Sequence, residues 1–308
     1  MRTSFIQTLC EEAELDDRIF LLTGDIGYSV LEQFSDRFPE RYVNVGVAEQ
    51  NMTSIAAGLA LSGKIVFTYS IANFPVMRCL EQIRNDLCYH NLNVNIVAVG
   101  GGFGYGSAGY SHHAIEDLAV MRAMPNMTVV APGDPVETRL ITQAIIKRQG
   151  PSYLRLGKAG EPVVHQNPMK IDIGQPVRIK PGTDITLIST GGMLKETVDA
   201  SELLEKAGFS VGVLSMHTLK PVNSQAFFEL LNTEVVVSVE EHSSIGGLYS
   251  TLSELITSKK PNSIQLFGIN SGFNILDKIG SQQYLKNELG ISVDNICQEV
   301  KRILKLHS

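Results

Sequence analysis

Apolar runs of strand length alternate along this chain with longer stretches whose apolar residues recur at helical spacing. The runs Ile19 to Thr23, Tyr42 to Val45, Lys64 to Tyr69, Val94 to Val99, Met127 to Ala131 and Ser152 to Leu156 predict strands. Between them, Ser4 to Ala13, Val47 to Leu61, Pro75 to Tyr89, Ala114 to Ala123 and Pro135 to Lys147 predict helices. Strands covered on both faces read as near-continuous apolar runs, and Val94-Asn95-Ile96-Val97-Ala98-Val99 comes close to that. The alternation predicts a mostly parallel sheet with helices on both faces.

The pattern breaks after about Gly160. Pro162, Pro168, Pro176 and Pro181 punctuate a stretch with no helical period, which reads as a linker over 161–182. Beyond it the alternation restarts. Ile185 to Ser189, Ser210 to Ser215, Glu234 to Ser238 and Ile264 to Gly268 predict strands. Leu194 to Ala207, Ser224 to Leu231, Gly247 to Thr257 and Ser292 to Leu304 predict helices. The expected organisation is therefore α/β throughout: two successive α/β domains with mostly parallel sheets, at 1–160 and 183–308. A chain of 308 residues has room for both.

Composition narrows the function. With 32 acidic and 26 basic residues the net charge is -6, and no basic block stands out, so no nucleic-acid partner is expected. No apolar run approaches the ~18 residues that cross a bilayer, so no membrane partner is expected either. Met1-Arg2-Thr3-Ser4-Phe5 lacks a signal core. Cys10, Cys79, Cys88 and Cys297 form no CxxC pair, which fits a reducing, cytoplasmic setting and argues against a zinc site. No metal ligands are expected from this chain.

Three segments carry candidate chemistry. In Gly46-Val47-Ala48-Glu49-Gln50-Asn51-Met52 a strand gives way to a helix of small and apolar residues, with Glu49 in its first turn. A first-turn glutamate often only complements the helix dipole. It can equally be a carboxylate at the mouth of a crevice on the carboxyl edge of a parallel sheet, where open α/β folds bind ligands. The second segment runs from Gly100 to Gly109, and its Gly104, Gly106 and Gly109 match the dinucleotide fingerprint GxGxxG. The preceding glycines are too loose for a tight strand-turn-helix, and the expected acid ~20 residues on is displaced. Ser111-His112-His113 follows and offers an imidazole to a substrate hydroxyl or a proton relay. The third segment, Val239-Glu240-Glu241-His242 with Gly246-Gly247, reads more readily as a tight turn before a capped helix than as a chemical centre.

Taken together and in order, these segments resemble transketolase, in its pyrimidine-binding domain and C-terminal domain, over nearly the whole chain. Gly46 to Met52 resembles the family's cofactor-activating glutamate motif, and Arg78-Cys79-Leu80-Glu81-Gln82-Ile83-Arg84-Asn85-Asp86 its next helix. Ser111-His112-His113-Ala114-Ile115-Glu116-Asp117-Leu118 resembles its substrate-histidine segment, continued by Met121-Arg122 and Pro125-Asn126-Met127. Gly24-Asp25-Ile26 and Gly133-Asp134-Pro135 lack the second glycine and following asparagine of the family's GDG motif, which holds Mg2+ and thiamine diphosphate. The resemblance thus implies the C-terminal subunit of a split transketolase. A separate N-terminal subunit would supply the diphosphate and Mg2+ site, and the two would form an α2β2 heterotetramer that shares the thiamine diphosphate.

The resemblance also implies roles. The cofactor loses its C2 proton once a carboxyl bonds its ring N1′, and Glu49 matches that carboxyl. Phe74 matches a pyrimidine-stacking aromatic, an interaction of roughly 0.5–1.5 kcal/mol beyond burial. The second aromatic is replaced by Ile71, so stacking is one-sided; Ile26 and Arg78 complete the cofactor side. His112 matches the histidine that faces the donor sugar, and Ser29, Lys158 and Arg2 match phosphate contacts. The aspartate usual four residues before that histidine is Ala108, the loop's usual first histidine is Gly100, and an arginine is Lys158. Ketol transfer is implied, with substrates other than the usual pentose phosphates. Two rival readings are the beta subunit of a 2-oxo acid dehydrogenase decarboxylase component, and a non-catalytic nucleotide-binding module built on the GxGxxG.

Overall fold

The computed structural model describes residues 1–167, 169–259, 263–273 and 277–306; Pro168, one of the four linker prolines, lies outside them. Among the described residues, twelve strands build two sheets. The first contains β1 (Ile19–Thr23), β2 (Tyr42–Asn44), β3 (Ile65–Ile71), β4 (Val94–Val99), β5 (Thr128–Val130) and β6 (Ser152–Leu156), all parallel. The second contains β7 (Val177–Lys180), β8 (Ile185–Ser189), β9 (Val211–Ser215), β11 (Val235–Val239) and β12 (Gln265–Ile269) in the order β12-β11-β8-β9-β7. β10 (Thr218–Lys220) comes from the second half of the chain yet pairs antiparallel with β5, giving the first sheet the order β10-β5-β6-β4-β3-β1-β2. The two predicted α/β sheets are thus present, and they are laced together by this strand.

Apolar side chains explain the layers. On one face of the first sheet the helix Arg2–Leu15 packs against the helix Pro135–Ile146, with Phe5 stacked on Tyr69 at 6.3 Å and tilted against Phe67 at 5.9 Å. Full burial of one such side chain is worth about 1.5–3 kcal/mol. The helix at Pro135 starts by rule: Asp134 accepts from the Glu137 N–H at 2.8 Å, and proline occupies the first turn, where no amide donor is needed. The opposite face is a single core that runs from Met52 and Val94 through Met127 to Leu219, Phe227 and Leu248, so it belongs to both domains.

Several predicted elements change. The helix expected over 75–89 is broken into Asn73–Met77, Leu80–Gln82 and a π-helical turn, Ile83–Cys88. The helix expected from Ala114 begins only at Asp117, because Ala114 is tied back to Gly102 by two backbone hydrogen bonds of 2.8 and 2.9 Å. The linker reading over 161–182 is too long: Val177–Lys180 is an edge strand antiparallel to β9. Its flanking Pro176 and Pro181 hid an apolar-polar alternation, and proline is tolerated at strand ends and edges. The helices Glu32–Arg37 and Gln282–Glu288 and the strand β10 were not predicted.

Candidate active site

The chain leaves β1 for β2 on one side and returns to β3 on the other, so strand order reverses between β1 and β3. The segments after these strands and after β4 meet at the carboxyl edge there, where open parallel sheets leave a crevice. Asn44, the last residue of β2, stitches two of them. Its side-chain oxygen accepts from the Asp25 and Gly46 N–H groups, each at 3.0 Å, and its amide donates to Asp25 at 3.2 Å. Gly46 turns the chain with φ +72 into the helix Glu49–Leu61. A side chain on Gly24 would press on the Gly46 carbonyl at 3.3 Å and the Glu49 side chain at 3.8 Å, so glycine lets the two loops close on each other.

Glu49 is thereby buried, 5% exposed, at the first turn of that helix. Arg78 Nη1 donates to its Oε2 at 3.0 Å, and among the described residues nothing else bonds the carboxylate. The break after Met77 makes this pair possible. Gln50 bonds the Arg78 carbonyl at 2.9 Å, which holds the freed helix end in place. The Arg78 guanidinium lies over the Phe74 ring at 4.4 Å, a cation–π contact, and the other side of the contact chain is His112, whose ring meets Phe74 edge-on at 5.1 Å.

The histidine pair divides. His112 is half-buried, with Nδ1 2.9 Å from Ser111 Oγ, and Asn73 holds the Ser111 carbonyl at 2.9 Å. His113 is buried, 3.2 Å from the Gly106 carbonyl and edge-on to Phe103 at 5.2 Å, which makes it a packing residue. Tyr105 is a residue the sequence reading missed. Its ring sits 6.4 Å from that of His112 and under Lys158 Nζ at 4.7 Å, and burial pushes its phenol pKa up, with Arg2 opposing. A Cβ on Gly100 would lie 2.2 Å from this ring, so Tyr105 fills the space that a larger residue at 100 would take. One of only two aromatics in a run of glycines, with Phe103 the other, was the available signal.

The structure therefore brings Glu49, Arg78, Phe74, His112 and Lys158 into one contiguous line, with Arg2 beside Tyr105. Ile71, at the end of β3, and Ile26 are half-buried at the same edge. Ser29 lies on the exposed turn after β1 with φ +63, and its N–H donates to Glu32 at 2.8 Å; it does not join the line.

The GxGxxG match is accounted for otherwise. The run leads into two short 3-10 turns, Gly106–Ala108 and Tyr110–His112, not into a helix N-terminus. A Cβ on Gly106 would meet the Gly280 carbonyl at 2.7 Å, so that glycine serves contact with the second domain. Glu240 is the helix cap expected of the third segment. It accepts from Leu248 and Tyr249 N–H at 2.6 and 2.8 Å, and burial lifts its pKa to about 7.

The buried Glu49 carboxylate and the Phe74 ring thus stand together at the strand-reversal edge of the first sheet of a two-sheet α/β chain, the kind of place where open α/β folds leave a crevice. Residues 1–160 match the pyrimidine-binding domain of transketolase and residues 174–296 its C-terminal domain, and the chain belongs to the transketolase family. It is 35% identical over 307 residues to one of the subunits of the apulose-4-phosphate transketolase of Phocaeicola vulgatus, covering 99% of this chain and 97% of that one. It is 33% identical to 6-deoxy-6-sulfo-D-fructose transketolase subunit SqwH of a Clostridium species, covering 98% and 94%. Among solved structures, a split gene transketolase described as an inactive beta4 tetramer superposes with a TM-score of 0.88 at 34% identity, covering 99% of this chain and 98% of that one. A transketolase from Pichia stipitis in complex with sedoheptulose 7-phosphate, 22% identical with a TM-score of 0.82, shares the fold over 99% of this chain and 46% of its own.

Proposed function

We propose that this chain is the pyrimidine-binding half of a two-chain, thiamine-diphosphate-dependent transketolase that transfers a two-carbon ketol unit between sugars or sugar derivatives. The observation that carries the reading is Glu49: buried at the crevice, bonded through one oxygen by Arg78, and with its other oxygen left for a ligand. Phe74, Ile26 and Ile71 offer one aromatic and two aliphatic surfaces beside it, which fits a flat aminopyrimidine. Thiamine diphosphate, held here by Glu49, Arg78, Phe74, Ile26 and Ile71, would supply the nucleophilic carbon for ketol transfer. Glu49 holds the proton at the ring N1′, and Arg78 fixes the direction in which the carboxyl points. Phe74 orients the ring from one side. His112 bonds a donor hydroxyl. Lys158 and Arg2 take the anionic end of the substrate.

The diphosphate and Mg2+ belong to a partner chain in this reading, because neither Gly24-Asp25-Ile26 nor Gly133-Asp134-Pro135 completes the metal motif. Each cofactor would then be sandwiched by two polypeptides, which favours a closed α2β2 assembly. A similar chain that is inactive as a tetramer of beta subunits supports this dependence. Ala108, Gly100 and Tyr105 change the substrate wall, and relatives named for apulose 4-phosphate and a sulfonated fructose favour an unusual sugar over xylulose 5-phosphate. Sites that bond a substrate hydroxyl discriminate steeply, so losing such groups broadens or moves specificity.

Reconstitution tests the reading. The chain alone is expected to bind thiamine diphosphate weakly and to be inactive; co-purified with its partner it transfers ketol units and scatters light as a heterotetramer. Tight Mg2+-dependent binding by the single chain, an active 1:1 heterodimer, or 2-oxo acid decarboxylation in place of ketol transfer would each count against it.

A further inference from the structure

Past His112 the line of the candidate site ends at two cations, and neither is neutralised. Lys158 forms no ion pair among the described residues, and its Nζ lies over the Tyr105 ring at 4.7 Å. Glu161, the carboxylate nearest to it in sequence, is taken by the N-terminal ammonium at 2.9 Å. Arg2, the first residue of the helix Arg2–Leu15, forms no ion pair either, and its buried Nε has no hydrogen-bond partner among the described residues. Its neighbour on β3, Tyr69, is 2% exposed. Burial pushes the Tyr69 phenol pKa up to about 12, and the Arg2 charge opposes that rise.

Tyr105 joins the two cations. Arg2 opposes the rise that burial gives its phenol, as it does for Tyr69, and no carboxylate perturbs either phenol. The Tyr105 ring is half-buried, and its hydroxyl bonds nothing among the described residues. The ring can lie here because residue 100 is glycine: a Cβ on Gly100 would fall 2.2 Å from it. On its other side it meets the ring of His112 at 6.4 Å, so it stands between the hydroxyl-facing histidine and the cations. Arginine and lysine carry donors only, and this phenol has a proton with no acceptor. Three donor side chains without a carboxylate among them fit a ligand that brings several acceptor oxygens at once.

We infer that Tyr105 is a specificity-determining residue, its phenol donating to a tetrahedral oxyanion that sits between Arg2 and Lys158 at the far end of the substrate. This rests on the reading of His112, Arg2 and Lys158 as substrate contacts, and it narrows the substrate to a phosphate ester or a sulfonate. A neutral hydroxyl brings one oxygen to three donors and a proton of its own, so such a pocket disfavours it. An oxyanion has an acceptor for each of the three.

Calorimetry on the full chain tests this with glycerol 3-phosphate for the phosphate class, 2,3-dihydroxypropane-1-sulfonate for the sulfonate class, and glycerol as the neutral control. Saturable one-to-one binding of at least one anion is expected, and none of glycerol. Tyr105→Phe keeps the ring and removes the hydroxyl, and should weaken anion binding about tenfold at an unchanged melting temperature. Tyr110→Phe alters a phenol of the same loop that bonds Glu116 instead, and should bind as wild type does. No saturable binding, glycerol bound as well as the anions, or binding unchanged in Tyr105→Phe would overturn the assignment, as would equal weakening in Tyr110→Phe. Wild-type crystals soaked with the better anion give a reading that needs no variant: an oxyanion within hydrogen-bond distance of Tyr105 Oη supports the contact, and one bound away from it overturns it. Ketol transfer by the co-purified pair is scored separately. Transfer present with anion binding indifferent to Tyr105→Phe sinks this inference and leaves the functional reading standing; transfer absent with binding weakened does the reverse.

Discussion

Glu49 shows how much a single side chain owes to its neighbours. Its helix position was readable from Gly46-Val47-Ala48-Glu49, but its burial depends on Gly24 closing against Gly46, and its orientation on Arg78 arriving from a broken helix. In the complex with its partner, Glu49→Gln is expected to slow hydrogen–deuterium exchange at the cofactor C2 by orders of magnitude while melting stays close to wild type. The amide still bonds a ring nitrogen but cannot share its proton. Exchange at the wild-type rate would remove Glu49 from this role. Tyr105 was legible only in retrospect, because nothing local says that its ring folds back over Gly100.

Among elements, the loop 100–112 and the segment 161–166 are each fixed from outside. Gly106→Ala drives a methyl group into the Gly280 carbonyl and Leu285, and overpacking of this kind costs about 1–3 kcal/mol. A lowered melting temperature with weaker substrate binding should result; unchanged melting would show that the contact gives way freely. The segment 161–166 is held by Asp134, which accepts from the Val164 and His165 N–H groups, and by Glu137, 2.9 Å from His165 Nε2. Burial alone would lower the His165 pKa, but the hydrogen bond and charge of Glu137 raise it above its ordinary value. The Glu137 pKa, which burial would raise, is held below the usual carboxylate range by the His165 hydrogen bond and by neighbouring His217 and Ser215. A raised folded-state histidine pKa stabilises fully below the unfolded value of about 6.5 and loses that contribution as pH climbs through the folded value. The melting gap between wild type and His165→Gln should therefore be widest in mildly acid buffer and narrow as pH rises above about 6.5. A gap constant across that range would refute the coupling.

At the level of the molecule, the shared core and β10 make the two sheets one mechanical unit. Leu219, Phe227 and Leu248 sit in the same apolar cluster as Met52, Val94 and Met127. Unfolding of the chain is expected to be one cooperative transition, followed by calorimetry or tyrosine signals since there is no Trp. Phe227→Ala, at about 3–5 kcal/mol, should lower that transition as a whole. Two separated transitions, with only the second affected, would show that the halves unfold independently.

The sequence by itself determined the parallel α/β layout, because long apolar runs such as Val94–Val99 survive only when both faces are covered. It also placed Glu49, Phe74 and His112 near strand ends, since their segments follow readable strands. Tertiary structure alone decided the rest. β10 is three residues long and carries no period; only its pairing with β5, far away in sequence, makes it a strand. The break at Met77 and the late start at Asp117 follow from contacts with Gln50 and Gly102, which no local propensity encodes. Tyr105 and Lys158 meet because β4 and β6 are parallel neighbours and end at one edge, a pairing made only once the chain has folded.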